Sequence, residues 1–349
     1  MNERYKHIDL GAGIMILWMI IYHAWQAGLC LEEAQRIAEC GGEWMEISNP
    51  MQTFPFLLFF MPWFFYKSGM FFRIRPAKEL FIYDCKKLIK PFVIWSLVGY
   101  VCYVVMCLLD GTATLHRLTY SVIRGAFLTE RIPINKVLWF LMTLFFVRQI
   151  SNVALKKVHP LFIALLGVVI AYVCHLTEFR LMPDWVPNSG IGLFFFSIGY
   201  WLNHNVQISQ KVKNTTSWIS LFVFCMWCII SYMIPNDSLG RIPIVEMVEN
   251  LHIQGIYILW YAICFLGIIG FNLLIRKSES LPLSFLSWMG KNAMLIYIIH
   301  YIPCQILSWV ANVYCIRMSA WLLIGLILVS YVVLFAIIKI KNGINYLPQ

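Results

Sequence analysis

The sequence predicts an all-α fold, a polytopic membrane helix bundle of about ten transmembrane helices with both termini cytoplasmic. The first observation is the composition, since 60% of the residues are hydrophobic and only 13% are charged. Soluble domains carry roughly 45–50% apolar and about 25% charged residues. The second observation is that the apolar residues form blocks of about 20, long enough to cross ~30 Å of hydrocarbon as helices. These features exclude a soluble enzyme, a disordered tail and a coiled coil.

Ten apolar segments account for the predicted spans. In chain order they cover residues 8–29, 52–72, 88–109, 137–155, 161–177, 188–202, 218–234, 255–275, 285–307 and 320–340. Polar joints that contain Pro, Gly or charged residues separate them. The longest joints, 30–51 and 110–136, are too short for an independent soluble domain. Residues 1–349 are therefore predicted to form a single integral-membrane domain.

The basic residues orient these spans. With the N-terminus inside, the inner segments hold 18 of the 27 Lys and Arg residues, the outer segments hold 8, and Lys67 lies within a span. The acids divide the other way, with 5 inside and 12 outside. This asymmetry follows the positive-inside rule. The net charge of +10 therefore marks the cytoplasmic face, and no nucleic-acid partner is expected because no binding motif accompanies it.

The eleven cysteines mostly behave as small apolar residues, because eight of them lie in or beside spans. Cys225 and Cys228 form a CxxC pair on an apolar segment that has no second pair and no histidine, so we expect no metal site. Cys30 and Cys40 fall on the outer side, where a disulfide between them is an open alternative.

Two histidines lie at membrane depth, where an ionisable side chain costs at least ~2.5–3.5 kcal/mol and marks a candidate site. His23 follows the apolar stretch 14–22 and lies 14 residues after Asp9, about 21 Å along a helix axis at ~1.5 Å per residue. A neutral imidazole at that depth can take a proton from a hydroxyl. His300 ends the run 293–299 at a similar level. For both histidines the alternative is a hydrogen bond to a neighbouring helix.

Other charged residues have two interpretations each. Lys67 either snorkels to the interface or faces a polar cavity and binds an anionic group. Asp9 either suits the dipole at the start of the first helix or has a direct chemical role. The joint 73–90 either contacts anionic lipid headgroups or binds a phosphate-bearing donor. Since the chain has neither a Walker A loop nor GxGxxG, phosphate binding would rest on six cations: Arg73, Arg75, Lys78, Lys86, Lys87 and Lys90.

Six strings in order resemble motifs of acyltransferase family 3, the bacterial integral-membrane O-acyltransferases. Residues 8–13 read Ile-Asp-Leu-Gly-Ala-Gly and are followed by an apolar run and His23, as in the first span of that family. The other strings are Phe-Phe-Tyr-Lys-Ser-Gly-Met at 64–70, Lys-Lys-Leu-Ile-Lys-Pro-Phe at 86–92, Leu-Trp-Phe-Leu at 138–141, Phe-Phe-Phe-Ser-Ile-Gly-Tyr at 194–200 and Met-Gly-Lys-Asn-Ala-Met-Leu-Ile-Tyr-Ile-Ile-His at 289–300. The resemblance spans about residues 7–340.

The resemblance implies transfer of an acyl group, usually acetyl from acetyl-CoA, to a hydroxyl of a cell-envelope sugar or polysaccharide. It also implies the bacterial inner membrane as location, with membrane lipids and a glycan or lipid-linked sugar acceptor as partners. No metal is expected, because the histidines form no HExxH or His-Cys ligand set. By the same resemblance, His23 is the essential first-span histidine and Asp9 is the acid near its start. Trp139 and His300 match recurring motif positions and are, with Lys67, candidates for substrate or donor binding.

One position departs from the family pattern. The Arg or Lys that the family places eleven residues before the histidine is Ala12 here. Either the chain does not catalyse or another cation supplies the charge, from Lys67, Arg73 or Arg75. In the predicted reaction acetyl-CoA docks on the basic joint, and His23 acts as general base or as a transient acyl carrier. The alternatives are a multi-pass transporter of a small polar solute and a non-catalytic relative that acts as a scaffold.

Overall fold

The computed structural model is all-helical over the part of the chain that it describes, which confirms the predicted fold class. The described residues are 6–39, 59–125, 133–177, 183–204, 210–233, 254–278, 280–281, 283–314 and 320–344. Within them lie fourteen α-helices, numbered α1 to α14 in chain order. Their bounds are Lys6–Glu39, Phe60–Met70, Ala77–Asp84, Lys90–Leu109, Leu115–Arg124, Trp139–Ala154, Pro160–Thr177, Trp185–His204, Gln210–Met233, Gln254–Lys277, Ser284–Lys291, Ala293–Ile299, Tyr301–Val313 and Ala320–Ile344.

Five helical stretches of the described residues are long and apolar enough to cross a membrane. They are Lys6–Ala24, Ala77–Leu109, Lys136–Ala154, Leu259–Lys277 and Ala293–Ala311. Two shorter apolar helices, Pro160–Cys174 and Trp321–Ala336, lie in the predicted fifth and tenth spans. The total of ten spans and the cytoplasmic location of both termini stay predictions.

The joint 73–90 is more helical than its charge indicates. Helix α3 begins at Ala77, directly after Pro76, and a π-helical segment at Cys85–Ile89 joins it to α4. Pro91 lies in the first turn of α4 and cannot donate a backbone hydrogen bond. The Lys90 N–H donates to the Cys85 carbonyl, which is the wider π pattern. The second long joint, 110–136, likewise contains helix α5.

Residues 1–53 and 274–349 form the first of two compact units. Helix α1 is its central element and packs against α11, α12, α13 and α14. Five fully buried residues form the core-facing side of α1: Ala12, Met15, Ile16, Met19 and Ile20. This unit contains His23 and His300, the two histidines that are predicted to lie at membrane depth.

Residues 54–273 form the second unit, in which α8 packs against α2, α6 and α7. Gly69 on α2 lies so close to α8 that a Cβ there would overlap the Phe196 carbonyl. Helix α10 adds the buried rings of Trp260 and Tyr261, which contact Phe195. This unit contains Lys67, Trp139 and all six cations of the joint. The single domain predicted for residues 1–349 stays a prediction.

Candidate active site

Two imidazole rings lie side by side in the first unit. The ring centroids of His23 on α1 and of His300, which lies between α12 and α13, are 5.2 Å apart and tilted by 39°. Tyr301 presents its edge to His23 at 5.0 Å, and Tyr22 lies at the same distance from it. His23 is partly buried, whereas His300 is fully buried. The structure therefore brings together the two histidines that the sequence singles out at membrane depth.

A backbone contact brings these two parts of the chain together. A Cβ at Gly13 on α1 would overlap the carbonyl oxygen of Leu286 on α11, and one at Gly290 would overlap the carbonyl oxygen of Asp9. Small residues allow membrane helices to approach this closely. The two glycines therefore set the spacing between α1, which carries His23, and the segment that leads to His300.

The predicted ninth span is divided into three helices, and His300 lies at the second division. Helix α11 ends at Lys291, and Asn292 donates its side-chain amide to the Trp288 carbonyl at 2.9 Å. Helix α12 ends at Ile299, where Pro303 removes the N–H that would bond the Ile299 carbonyl. Discontinuous membrane helices place polar groups at binding sites in other membrane proteins. The proline is the sequence feature that identifies the second division.

Asp9 lies apart from the imidazole pair. It is in the first turn of α1 and is buried. Because α1 is continuous, Asp9 and His23 are about 21 Å apart along the helix axis. The structure therefore does not bring the Asp9 carboxyl to His23, and a direct role for Asp9 in catalysis stays a prediction.

In the second unit, Lys67 and Trp139 lie among aromatic rings. Lys67 is partly buried on α2, with its Nζ 5.5 Å from the Trp63 ring centroid in cation–π geometry. The Trp63 indole N–H donates to the Asn272 side-chain oxygen at 3.0 Å. Trp139 begins α6 after a 3₁₀ turn and contacts Phe140.

The six cations of the joint are exposed, and hydrogen bonds from α6 hold the main chain of one of them, Arg75. Asn152 on α6 accepts a hydrogen bond from the Arg75 N–H at 2.9 Å and donates one to the Arg75 carbonyl at 3.0 Å. The Arg75 guanidinium lies over the Tyr83 ring at 4.9 Å. These contacts fix the backbone at Arg75, while its side chain and that of Arg73 stay exposed.

A partly buried ion pair joins Asp84 of the same segment to Arg148 on α6, and sequence reasoning did not identify it. The Arg148 Nε lies 3.0 and 3.1 Å from the two Asp84 carboxylate oxygens. Gln149 donates a third hydrogen bond to Asp84 at 2.8 Å. The Arg148 guanidinium also covers the Phe72 ring. The sequence contains one indication of this pair: Arg148, counted above with the inner basic residues, falls inside the bounds 137–155 of the predicted fourth span, where a cation needs a partner.

The cysteines raise two questions, a metal site at the CxxC pair and a disulfide between Cys30 and Cys40. The residues that the structure describes contain no group of three or more His, Cys, Asp or Glu side chains arranged for a metal ion. Cys225 and Cys228 are free thiols on α9. Cys40 lies outside the described residues, so its pairing with Cys30 stays a prediction.

Comparison with protein families confirms the resemblance carried by the six strings. A family model described as an acyltransferase domain, that of acyltransferase family 3, matches residues 5–340. No curated protein and no solved structure matches the chain. Because the matched region covers nearly the whole sequence and contains both units, the chain belongs to acyltransferase family 3.

Proposed function

We propose that the protein transfers an acyl group, most simply acetyl, from cytoplasmic acyl-CoA to a hydroxyl of a cell-envelope sugar or polysaccharide. The reaction would take place at the bacterial inner membrane. The observation that supports this proposal best is the contact between His23 and His300 in a chain of this family. The family also makes an acyltransferase a better interpretation than a solute transporter.

In this reaction His23 accepts the proton of the acceptor hydroxyl and later donates it to the leaving group. A ring nitrogen of His23 takes that proton as the hydroxyl oxygen attacks the thioester carbonyl. The C–O bond forms, the C–S bond breaks, and the proton passes from His23 to the leaving thiolate. In the covalent variant His23 attacks first, and an acyl-imidazole then reacts with the hydroxyl. A positioned base contributes typically 10²–10⁴-fold to such a rate.

The exposed cations of residues 73–90 support a phosphate-bearing donor. Guanidinium and ammonium groups form charge-assisted hydrogen bonds with phosphate oxygens, and arginine does so through two parallel bonds. Arg75 is well suited to this role, because Asn152 holds its main chain at both polar atoms. The Asp84 carboxylate is occupied by Arg148, so it does not neutralise the exposed cations.

The alanine at position 12, where the family usually has Arg or Lys, is the reason for considering a non-catalytic relative. Its side chain is fully buried against the core of the first unit. The chain therefore fills with packed apolar surface the position at which the family usually carries Arg or Lys. The transfer assay described next distinguishes a catalytic chain from a non-catalytic one.

A direct assay tests the proposal. Membrane vesicles from cells that express the full chain are incubated with radiolabelled acetyl-CoA, and base-labile label is measured in the glycan fraction. We expect the His23→Ala variant to lose on the order of 10²-fold or more of this transfer. His204→Ala is the matched control, because His204 is exposed at the end of α8 and bonds the Tyr200 carbonyl. Near-normal transfer by a correctly inserted His23→Ala protein would exclude the mechanism.

A further inference from the structure

The protonation form of the His300 ring follows from one hydrogen bond. Its Nδ1 lies 2.7 Å from the carbonyl oxygen of Tyr297, one turn earlier in α12. A carbonyl oxygen only accepts, so Nδ1 carries the hydrogen and donates it. In the neutral ring, Nε2 then has no hydrogen and presents a lone pair.

That lone pair is buried without a partner among the described residues. The His300 side chain is 0% exposed, and its Nε2 makes no hydrogen bond to any of them. Leaving a buried acceptor unsatisfied is unfavourable, so each such group in a native structure calls for an explanation, of which a catalytic role is one. The acceptor therefore needs a donor that the folded chain or a bound substrate provides.

The ring of His300 is also held in place. The His300 main-chain N–H donates to the Ile296 carbonyl at 2.9 Å, and the Cys304 thiol donates to the His300 carbonyl at 3.2 Å. The aromatic ring of Tyr301 contacts both imidazoles, at 5.0 Å from His23 and 6.2 Å from His300. On α1 the His23 ring lies beside the His300 ring, with 5.2 Å between the two ring centroids.

We propose that His300 is a positioning residue for His23. Its Nε2 accepts a hydrogen bond from the ring N–H of His23, which selects one His23 tautomer. In that tautomer the other His23 nitrogen carries no hydrogen and can take the proton of the acceptor hydroxyl. Catalytic hydrogen bonds of this kind are often long before substrate binds and shorten in the complex. The inference rests on the proposed acyl transfer.

The proton balance needs no further reactant. His23 takes the hydroxyl proton and becomes an imidazolium with hydrogens on both nitrogens. The His300 lone pair stabilises that cation through the same hydrogen bond, and no proton moves to His300. His23 then gives its newly acquired proton to the thiolate. His300 thus has the orienting role that a carboxylate has toward histidine in a catalytic triad.

The test measures the His23 tautomer and the reaction separately. The full chain is labelled with ¹⁵N-histidine and placed in lipid nanodiscs, and the His23 signals are assigned by comparison with His23→Ala. His300→Phe keeps a ring and removes the acceptor, whereas His300→Gln offers an amide oxygen near the position of Nε2. Met294→Leu is the control, because Met294 lies on α12 with its side chain exposed.

We expect one His23 tautomer in the wild type and in Met294→Leu, and a mixture of both in His300→Phe. Transfer of label from acetyl-CoA is expected to fall on the order of 10²-fold in His300→Phe, with the KM for acetyl-CoA unchanged and a smaller loss in His300→Gln. An unchanged His23 tautomer in His300→Phe overturns the inference whatever the activity. A mixed tautomer with wild-type transfer also overturns it. A wild type without His23-dependent transfer overturns the proposed function instead, and the tautomer alone then decides whether the hydrogen bond exists.

Discussion

Adding one methyl group at Gly13 tests the backbone contact that sets the spacing of the two imidazoles. The new Cβ would overlap the Leu286 carbonyl oxygen, and it would lie 2.7 Å from the carbonyl carbon and 3.2 Å from the Gly290 nitrogen. All three are backbone atoms, so no side-chain rotation relieves the overlap. Helices α1 and α11 must therefore move apart in Gly13→Ala.

The expected magnitude follows from two opposing effects. Overpacking a core typically costs 1–3 kcal/mol, and we expect about 3 kcal/mol because the neighbours are main chain. Alanine is favoured over glycine within a helix by about 1 kcal/mol. The net effect is a destabilisation of about 2 kcal/mol. At Gly325 on α14, an added Cβ would meet no heavy atom of the described residues within 4 Å apart from its chain neighbours and its own helix backbone, so only the gain of about 1 kcal/mol applies there.

The two alanine variants are compared in the same assay. The full chain in detergent is heated, and the fraction that stays monodisperse on size-exclusion chromatography gives a midpoint temperature. We expect Gly13→Ala to lower the midpoint and the rate of acyl transfer, and Gly325→Ala to keep or raise the midpoint with unchanged transfer. A Gly13→Ala midpoint at or above the wild-type value would refute the reasoning.

Two further predictions concern the basic segment. Asn152→Ala removes both hydrogen bonds to the Arg75 main chain. Each bond contributes about 1 kcal/mol, so we expect the KM for acetyl-CoA to rise by up to about thirtyfold at unchanged kcat. Steady-state kinetics check this, and an unchanged KM would contradict it. Asp84→Asn leaves the Arg148 cation without its carboxylate. Because the Arg148 side chain is 17% exposed, we expect a cost below the ~3–5 kcal/mol of breaking a fully buried pair. The midpoint temperature should fall, and adding Arg148→Met should recover part of it; a double variant no better than Asp84→Asn would argue against the pair.

The helices and the imidazole pair follow from the sequence for a simple reason. An apolar block of about 20 residues has few stable forms other than a membrane helix. An ionisable group within such a block is costly, which singles out His23 and His300 without knowledge of packing. The contact between their rings supports that selection, although their chemical roles stay predictions.

The contacts around Arg75 could not be predicted in the same way. Asp84 and Arg148 are 64 residues apart in the chain, and Asn152 meets Arg75 across a similar separation. Only tertiary packing brings such residues together, and their types are ordinary for a charged joint and a helix end. Helices α3 and α5 were not predicted for a related reason, because charged residues are typical both of joints and of short exposed helices.

The main-chain contact of Gly13 and Gly290 makes the spacing of helices α1 and α11 independent of most of their side chains. A spacing set by backbone atoms does not depend on the side chains that project from the other faces of α1 and α11. Substitution of those side chains therefore leaves the distance between the His23 and His300 rings unchanged.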